Sequence, residues 1–373
     1  MKKVLAVVGT RPDAIKMAPV ILELKAQADL TTVVIASGQH REMLQQVFHA
    51  FGVAADRNFD VMKDGQTLAY LTASILDALD QAIAEEIPDM VVAQGDTTTT
   101  FVAGLAAFYR RMPFAHVEAG LRTETVESPF PEELNRRIVG QIAALHFAPT
   151  QNAADNLLKE GACPESVFVT GNTSIDAILQ ATGGGDGQTP FSSERIILVT
   201  THRRENWGEP QREICRGIKR ILDAFPDVRV ILPMHRNPVV REMLQDELGK
   251  DGRVALIEPP EYWEFASLMK RAHLILTDSG GVQEEAPALG KPVLVLRNET
   301  ERPEGIEAGN AKLVGTDEDA IFAAASLLLS DEDLYCKIAQ SRNPYGDGLA
   351  AKRIVAQIRR YLELPFDDEA PFK

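Results

Sequence analysis

Residues 273–285, HLILTDSGGVQEE, decide the predicted fold. The apolar run at 273–277 predicts a strand, Gly280 and Gly281 a tight turn, and the residues after them the first turn of a helix. Glycines let backbone N–H groups approach an anion, and a helix N-terminus adds unpaired donors and partial positive charge. Glu285, about a turn further along, is placed to accept both hydroxyls of a ribose. This segment predicts a nucleotide diphosphate site, and a plain strand-to-helix connection is the alternative.

The same alternation of apolar runs and helical patterns continues along the whole chain. Eleven runs predict strands, at 3–8, 32–37, 90–94, 114–118, 144–149, 166–170, 195–200, 228–233, 253–258, 273–277 and 292–297. Between them lie longer stretches with apolar residues at helical spacing, such as 66–86. Nearly continuous apolar strands that alternate with helices are typical of parallel sheets covered on both faces. We therefore predict an α/β protein with two doubly wound, Rossmann-like domains.

The length of the chain also favours two domains, because 373 residues exceed the size at which a single core keeps growing. We place the boundary near Gly171, which gives an N-terminal domain at 1–170 and a C-terminal domain at 171–348. The glycine-rich stretch at 183–190 is an alternative boundary. Open parallel sheets bind ligands beyond the carboxyl ends of their strands, so we expect a ligand cleft between the two domains.

The last part of the chain, 349–373, forms a third segment in this prediction. It contains an amphipathic helix predicted at 349–364, preceded by a break rich in glycine and proline. The pattern predicts one helix with a single apolar face, which must be covered by another element.

Composition excludes several classes of protein. A formal net charge of −15 and the lack of a basic stripe argue against nucleic-acid or membrane-surface binding. No apolar stretch approaches the roughly 20 residues that span a bilayer, and charged residues interrupt the N-terminal apolar run as no signal peptide would. The cysteines Cys163, Cys215 and Cys336 lie far apart, which argues against structural zinc and disulfides. We expect a soluble cytoplasmic protein.

Two cations follow the first predicted strand. Arg11 and Lys16 lie on a turn that enters a helix, five residues apart and close to one helical face. They are candidates for contacting an anionic ligand, and solvated surface charge is the alternative. The chain has neither GxGxxG nor GxxxxGK[ST], which removes support for NAD-type binding and for P-loop ATP hydrolysis.

Carboxylates follow the strands of the N-terminal domain. The candidates are Asp96, Glu118, Glu132 and Glu133. A helix N-cap is the alternative role for Asp96, and stabilisation of a helix N-terminus would also explain Glu132 and Glu133. Pro131 suits the first position of the helix that follows. Carboxylates grouped in a cleft can be driven apart in pKa, so that one serves as acid and another as base.

The C-terminal domain places basic and aromatic residues at its strand ends. His202, in THRREN, suits phosphate contact or general acid catalysis, and a structural role is the alternative. Arg302 is a candidate phosphate clamp on the same side as Ser279. The segment 258–265, EPPEYWEF, either walls a uracil base or closes a helix onto the sheet. The seven histidines are scattered without ligand spacing, so no metal site is predicted.

Eight motifs together closely resemble the non-hydrolysing bacterial UDP-N-acetylglucosamine 2-epimerases. They run in the family's order from residue 3 to about 350: GTRPDAIKMAP, SGQHREML, QGDTTTT, HVEAGLRT, SPFPEELNRR, THRREN, DSGGVQEEAPALGKPVL and RNETERPE. The resemblance implies a glycosyltransferase-B-like fold, a homodimer, and a last helix that crosses back to the first domain. It also implies reversible conversion of UDP-GlcNAc to UDP-ManNAc without a cofactor, for polysaccharide precursors.

The resemblance also implies roles for individual residues. The family mechanism eliminates UDP to give 2-acetamidoglucal and then adds it back. The matching acid–base group is Asp96, Glu118 and Glu132, with His202 stabilising or protonating the departing phosphate oxygen. The positions that match UDP contacts are Arg11, Lys16, Phe265, Ser279, Gly280, Gly281, Glu285 and Arg302. The positions that match the site of an activating second UDP-GlcNAc are Gln39, Glu133, Arg204 and His235.

Two positions depart from the family pattern. Pro260 stands where relatives carry a glutamine in the base-binding loop, and Gly65 where some carry an arginine beside the activating ligand. The first change keeps a backbone contact and loses a side-chain contact, and the second weakens the expectation of substrate activation. A hydrolysing epimerase, a glycosyltransferase of the same fold and a non-catalytic nucleotide-sugar sensor are the alternative functions.

Overall fold

Two parallel sheets, each covered by helices, make up the computed structural model, which describes residues 1–38, 41–59, 61–63, 65–183, 194–367 and 369–372. The chain divides into two compact units: unit 1 is 1–177 with 346–373, and unit 2 is 178–345. The sequence-based domain boundaries lay at 170/171 and 348/349. The alternative boundary at 183–190 falls almost wholly outside the described residues.

Unit 1 contains a seven-stranded sheet in the order β3-β2-β1-β4-β5-β6-β7, with every pair parallel. Its strands are β1 (Lys2–Val8), β2 (Leu30–Ala36), β3 (Arg57–Asn58), β4 (Met90–Gln94), β5 (Phe114–Val117), β6 (Leu145–Ala148) and β7 (Val167–Val169). Its helices are α1 (Arg11–Lys25), α2 (Arg41–Ala50), α3 (Leu68–Glu86), α4 (Thr98–Tyr109), α5 (Glu132–Ile142), α6 (Gln151–Lys159), α7 (Thr173–Thr182), which continues past residue 177, and the last helix, α15 (Ala350–Tyr361).

Unit 2 contains a six-stranded parallel sheet in the order β10-β9-β8-β11-β12-β13. Its strands are β8 (Arg195–Thr200), β9 (Val228–Pro233), β10 (Val254–Ile257), β11 (Leu274–Thr277), β12 (Val293–Val295) and β13 (Ala311–Leu313). Its helices are α8 (Glu209–Ala224), α9 (Pro238–Leu248), α10 (Tyr262–Arg271), α11 (Gly280–Ala288), α12 (Pro303–Glu307), α13 (Glu318–Ser330) and α14 (Glu332–Ala339).

The predicted doubly wound α/β architecture is confirmed, and all eleven predicted strands form. Two short edge strands escaped prediction. β3 has only the polar pair Arg57–Asn58, and β13 is three residues long with an exposed lysine at its centre. Neither has an apolar run, because an edge strand has one neighbour and little surface to bury.

The predicted last helix forms and belongs to unit 1. α15 packs against α1, and the Arg359 Nη2 atom lies 2.9 Å from the Asp29 Oδ2 atom just beyond α1. Its buried face includes Ile354, Val355 and Ile358, as the amphipathic pattern requires. Among the helices that the structure describes, none is both long and apolar enough to cross a membrane.

Each sheet has one point where the strand order reverses direction. In unit 1 the switch lies between β1 and β4, and in unit 2 it lies between β8 and β11. The loops that leave neighbouring strands there turn to opposite faces of the sheet, which opens a crevice at the carboxyl edge. The residues around these two crevices are the candidates for function.

Candidate functional site

The carboxylate of Glu118 lies at the carboxyl edge of the unit 1 sheet and accepts several hydrogen bonds. It lies just after β5, and three donors reach it from three different elements. The Lys16 Nζ atom is 2.5 Å from Oε1, the Asn172 Nδ2 atom is 3.0 Å from Oε1, and the Gln94 amide donates to Oε2. Hydrogen bonds from three donors, one of them a cation, favour the charged form of a carboxylate.

The backbone of Glu118 is strained in a way that supports a functional role. Its φ angle is +60°, in the left-handed region that non-glycine residues seldom occupy. Such strain costs on the order of 1–3 kcal/mol and persists where the surroundings over-determine the conformation. The three donors on the side chain supply that restraint, so the turn aims the carboxylate at a fixed place.

Asp96 lies after the adjacent strand, β4, in a different environment. Burial raises the pKa of this carboxyl against the opposing charges of Arg136 and Lys16, and the Glu118 charge raises it further. The Arg136 Nη2 atom lies 2.5 Å from the Asp96 Oδ2 atom. Asp96 and Glu118 are therefore a pair of interacting carboxyls with different partners, which is the arrangement that separates an acid from a base.

The alternative role of Asp96 as a helix N-cap is wrong, because the N-cap of α4 is Thr97, whose side chain accepts from the Thr100 amide. The expected place of Pro131 also shifts by one residue. Pro131 is the N-cap of α5 and Glu132 is the first residue of that helix, half-buried. Glu133 is wholly buried and ion-paired with Arg137 at 2.6 Å, so it stabilises α5 from within.

Two buried histidines lie beneath the carboxylate pair. His116 and His146 face each other across β5 and β6, and burial lowers the pKa of His116 to about 3 and that of His146 to about 4. The neutral His116 ring lies 2.7 Å from the Gly95 carbonyl oxygen through Nε2. This contact holds the left-handed Gly95 turn that carries Asp96, so His116 positions the site from below.

In unit 2 the buried carboxylate of Asp278 joins the loops on the two sides of the switch point. It accepts from the backbone amides of His202 and Arg203 and from the Asn206 side chain, all at 3.0 Å. The His202 Nδ1 atom is also 3.0 Å from Asp278 Oδ1. These contacts orient the ring through Nδ1, and its side chain is 48% exposed, so Nε2 is the nitrogen available for chemistry.

These contacts also change the charge on Asp278. Burial would raise the pKa of this fully buried carboxyl, yet the hydrogen bonds from His202 and Arg203 outweigh it and hold the pKa below its ordinary value. A carboxylate behind a half-exposed imidazole fixes the orientation of the ring.

The strand and the helix around Gly280 form as predicted, but the separate tight turn is wrong, because both glycines belong to the first turn of α11, called the glycine turn below. Ser279 is the N-cap of α11, and Gly280 and Gly281 open the helix with Gly281 exposed. The Arg302 guanidinium comes to the same place: a Cβ atom on Gly280 would lie 3.5 Å from Arg302 Cζ. An open helix N-terminus beside a guanidinium is suited to a phosphate group. The Nε atom of Arg302 pairs with Glu284 at 2.5 Å, which fixes the side chain.

The structure also places the remaining predicted residues. Glu285 lies half-buried on α11, and its charge contributes to the raised pKa of Tyr262, which burial mainly causes. Phe265 packs at the edge of the unit 2 core. Arg11 begins α1 in unit 1, and Arg204 is exposed after β8. These positions leave Glu285 and Phe265 in the same part of unit 2 as the glycine turn.

Two other predicted residues need separate mention. His235 lies after β9, where its Nδ1 atom accepts from the Asn237 amide at 3.1 Å and its ring centroid is 5.7 Å from that of Trp207. Gln39 lies outside the described residues. The role of these residues in binding a second ligand stays a prediction.

Sequence reasoning missed the residues that hold the site together. Asn172 and Gln94 donate to Glu118, Arg136 pairs with Asp96, and Asp13 accepts from Thr97, the residue after Asp96. Only Asp13 carries a local signal, since Thr10-x-x-Asp13 matches a capping box, which the structure confirms. Among the described residues, no group of three or more histidine, cysteine, aspartate or glutamate side chains could hold a metal ion.

Comparison with known proteins gives one consistent result. The family model described as UDP-N-acetylglucosamine 2-epimerase matches residues 22–359. A relative of that name from Bacillus subtilis strain 168 is 53% identical over 359 residues, which are 95% of this chain and 94% of the relative. A crystal structure of a UDP-N-acetylglucosamine 2-epimerase superposes with a TM-score of 0.92 at 48% identity, with both chains fully covered.

Two further structures bear on ligand and fold. The UDP-GlcNAc 2-epimerase of Neisseria meningitidis, solved bound to UDP-GlcNAc, is 46% identical with a TM-score of 0.85, covering 96% of this chain and 100% of its own. A glycosyltransferase of kitacinnamycin, 14% identical with a TM-score of 0.65 over 98% of this chain and 99% of its own, shares the fold alone, which confirms the glycosyltransferase-B-like prediction. The chain therefore belongs to the UDP-N-acetylglucosamine 2-epimerase family, whose activity is that of an isomerase.

Proposed function

We propose that this protein interconverts UDP-GlcNAc and UDP-ManNAc by inverting C2, without releasing free sugar. The relatives' shared name supports an epimerase of UDP-GlcNAc, and the Neisseria meningitidis structure supports UDP-GlcNAc as the ligand. The single observation that carries the proposal is the Asp96–Glu118 pair, two carboxylates after adjacent strands with opposite electrostatic surroundings. Binding a nucleotide sugar would not by itself require that pair.

The proposed reaction has two balanced stages. In the first, a carboxylate removes the C2 proton while the bond from C1 to the phosphate oxygen breaks, giving 2-acetamidoglucal and UDP. In the second, the other carboxyl protonates C2 from the opposite face and the phosphate oxygen attacks C1. A C2 proton without an adjacent carbonyl is weakly acidic, so the departure of UDP must bear much of the driving force. One acid and one base are required in each direction.

The residues of unit 1 supply those proton transfers in this proposal. Glu118, charged and held by Lys16, is suited to accept a proton, and Asp96, whose pKa burial raises, is suited to deliver one. Their roles exchange when the reaction runs backwards. Glu132 at the start of α5 is the third member of the group. Each carboxyl stays on one face of C2, and the direction of the reaction decides whether it acts as the acid or as the base.

The residues of unit 2 hold and release UDP in this proposal. His202, backed by the Asp278 carboxylate, stabilises or protonates the departing phosphate oxygen through Nε2. The amides of the Gly280–Gly281 turn and the Arg302 guanidinium bind the diphosphate, together with Arg11 and Lys16 of unit 1 and Ser279. Glu285 accepts the ribose hydroxyls, and Phe265 contacts the base. UDP must stay bound in both stages, which favours a site with several contacts to the diphosphate.

Four further properties belong to the same proposal. The protein acts as a homodimer in the cytoplasm and makes a precursor of cell-surface polysaccharide. A second UDP-GlcNAc activates it through Gln39, Glu133, Arg204 and His235. This activation predicts a sigmoidal dependence of rate on UDP-GlcNAc and faster turnover of UDP-ManNAc when traces of UDP-GlcNAc are added. A hyperbolic curve with no such acceleration contradicts it.

Proton NMR in D2O tests the central proposal. Pure protein incubated with UDP-GlcNAc is expected to yield UDP-ManNAc with deuterium at C2. Free ManNAc and UDP would identify a hydrolysing epimerase instead. An unchanged spectrum would leave a binding protein, or a glycosyltransferase that waits for an acceptor.

Substitution of the two carboxylates tests their part in the reaction. Asp96→Asn and Glu118→Gln are each expected to lower turnover by at least about a hundredfold, in line with acid–base contributions. UDP affinity, measured by calorimetry, should be nearly kept. Asp80→Asn is the matched control, because Asp80 is exposed and pairs only with Arg110 among its described ion pairs. Wild-type turnover in either variant would remove that residue from the mechanism.

A further inference from the structure

A buried carboxylate spans the switch point of unit 1. Asp13 lies in the first turn of α1 and is 4% exposed. Its Oδ2 atom accepts from the Thr10 amide at 3.0 Å, within its own loop, and from the Thr97 hydroxyl at 3.2 Å. Thr97 is the N-cap of α4, which follows β4 on the other side of the switch. One hydrogen bond therefore joins the two loops between which ligands of such sheets bind.

The hydrogen bond runs from Thr97 to Asp13, because an ionised carboxylate can only accept. Thr100 donates its hydroxyl proton to the Gln94 carbonyl oxygen at 2.6 Å. The Thr97 oxygen accepts from the Thr100 amide at 3.3 Å and also lies 3.1 Å from the Thr100 oxygen, so Thr97 shares its proton between Asp13 and Thr100. The Thr97 hydroxyl therefore takes part both in the cap of α4 and in the bridge.

The bridge connects α1, which carries Lys16, the cation paired with Glu118, to the loop that carries Asp96. Lys16, one turn after Asp13 on α1, holds Glu118 at 2.5 Å. Asp96 directly precedes Thr97 and pairs with Arg136. A shift of α1 against α4 would therefore change the separation between the Lys16–Glu118 pair and Asp96. Small misplacements of this kind are costly, since about 1 Å can lower a rate by a hundredfold.

We propose that Asp13 is a positioning residue for the acid–base pair, acting through its hydrogen bond to the Thr97 hydroxyl. It sets the distance between Asp96 and Glu118. This proposal rests on the proposed function of those two residues, and Asp13 itself takes no proton from the substrate. The charged group that acts on Asp13 is Asp96 across the switch, which itself pairs with Arg136, and the cations in the first two turns of α1 are Arg11 and Lys16.

The chemistry of the Asp13 carboxyl agrees with this role. Burial raises its pKa to about 7, against the hydrogen bonds from Thr10 and Thr97, and the Asp96 charge raises it further. Its Oδ2 atom accepts hydrogen bonds whether or not the group is ionised. The bridge therefore survives protonation, which a contact built only on charge would not.

A double-mutant cycle tests the bridge. The kcat and KM values of wild type, Asp13→Ala, Thr97→Val and the double variant are measured with UDP-GlcNAc. Each single variant is expected to lose about tenfold or more in kcat, with KM changed less than threefold. The double variant should be no slower than the slower single variant by more than threefold. Losses that multiply, or a change confined to KM, overturn the proposal.

Rescue and a matched control complete the experiment. Asp13→Asn keeps a side-chain oxygen for the Thr97 hydroxyl and is expected to be at least threefold faster than Asp13→Ala. Asp317→Ala removes another helix-capping carboxylate, bonded to the Ala320 amide at 2.8 Å in unit 2, and should leave kcat unchanged. Equal rates for Asp13→Asn and Asp13→Ala contradict the bridge.

The outcomes separate this inference from the proposed function. If Asp13→Ala does not fold, Thr97→Val removes the same hydrogen bond from the other side and decides the question. A wild-type protein that forms no UDP-ManNAc fails the proposed function. An active wild type whose Thr97→Val variant keeps its full kcat fails only the positioning role.

Discussion

The two units share a buried aspartate at the switch point of the sheet, but the pKa values of the two aspartates are shifted in opposite directions. In each, a buried aspartate reaches across the switch point of a parallel sheet: Asp13 from the β1 side in unit 1, and Asp278 from the β11 side in unit 2. Both are almost wholly excluded from water. Yet the pKa of Asp13 is raised to about 7 by burial, whereas that of Asp278 lies below its ordinary value against the effect of burial.

The difference lies in the donors. Asp278 receives the amides of His202 and Arg203, the Asn206 side chain and the His202 ring. Asp13 accepts from the Thr10 amide and the Thr97 hydroxyl, and the charge of the nearby Asp96 opposes its ionisation. Burial alone does not decide whether a carboxyl is ionised, because the number and charge of its hydrogen-bond donors also shift the pKa. Unit 2 carries a negative charge behind a histidine, and unit 1 carries carboxyls whose pKa values burial raises.

The largest expected effect comes from removing the unit 2 bridge. Asp278→Ala leaves the part-buried backbone amides of His202 and Arg203 without an acceptor, and the buried Asn206 amide with the Leu296 carbonyl alone. We expect a loss of about 3–5 kcal/mol in the free energy of unfolding. Both tryptophans of the chain, Trp207 and Trp263, lie in unit 2, so their fluorescence in urea reports its unfolding. Asp317→Ala, the loss of an ordinary N-cap, should cost only about 1 kcal/mol. Equal losses in the two variants would contradict the comparison.

That bridge also shows what sequence reasoning reached and where it stopped. The strand β11 and the start of α11 are local features, and the run HLILT with two glycines was enough to predict them, although the glycines begin the helix and do not form a turn before it. The partners of Asp278 lie more than seventy residues away, after β8. The amino-acid pattern does not state which strands are neighbours, and only the order β8-β11 brings the two loops together.

The same limit applies in unit 1. Resemblance to a known family singled out Asp96 and Glu118, but Asn172 and Gln94, which hold Glu118, carry no local signal. The left-handed backbone of Glu118 was equally invisible, because strain at a non-glycine residue is imposed by tertiary contacts. The edge strands β3 and β13 were missed for lack of an apolar run.

A smaller effect, with the opposite dependence on pH, is expected at Asp13. Its folded pKa of about 7 lies above the unfolded value of 3.8, so the folded state binds more protons between these limits. The stability of wild type relative to Asp13→Asn should therefore fall as pH rises from about 4 to about 7, by on the order of 2–4 kcal/mol. Urea titrations of both proteins across this range measure it.

Asp278→Asn supplies the contrasting control. Because the folded pKa of Asp278 is lowered, the stability that its charge contributes is present above pH 4 and is lost as pH falls through the folded value. The stability difference from wild type should stay level between pH 5 and 8. If both aspartates gave the same pH dependence, donor number would not be the cause of the difference.

The smallest effect concerns the proposed anion site of unit 2, at the start of α11. Gly281 is exposed in the first turn of α11, and a Cβ atom there would meet no neighbour within 4 Å. Gly281→Ala should therefore leave the free energy of unfolding unchanged or slightly higher, because alanine favours helix. If the turn's amides bind the diphosphate, the methyl group obstructs its approach, and UDP affinity by calorimetry should fall about tenfold, or about 1.4 kcal/mol. Gly252→Ala, equally open but in the turn before β10, should change neither quantity. If Gly281→Ala binds UDP as tightly as wild type, the diphosphate does not bind at this turn. The hydrogen bonds to Asp278 would then contribute to stability alone.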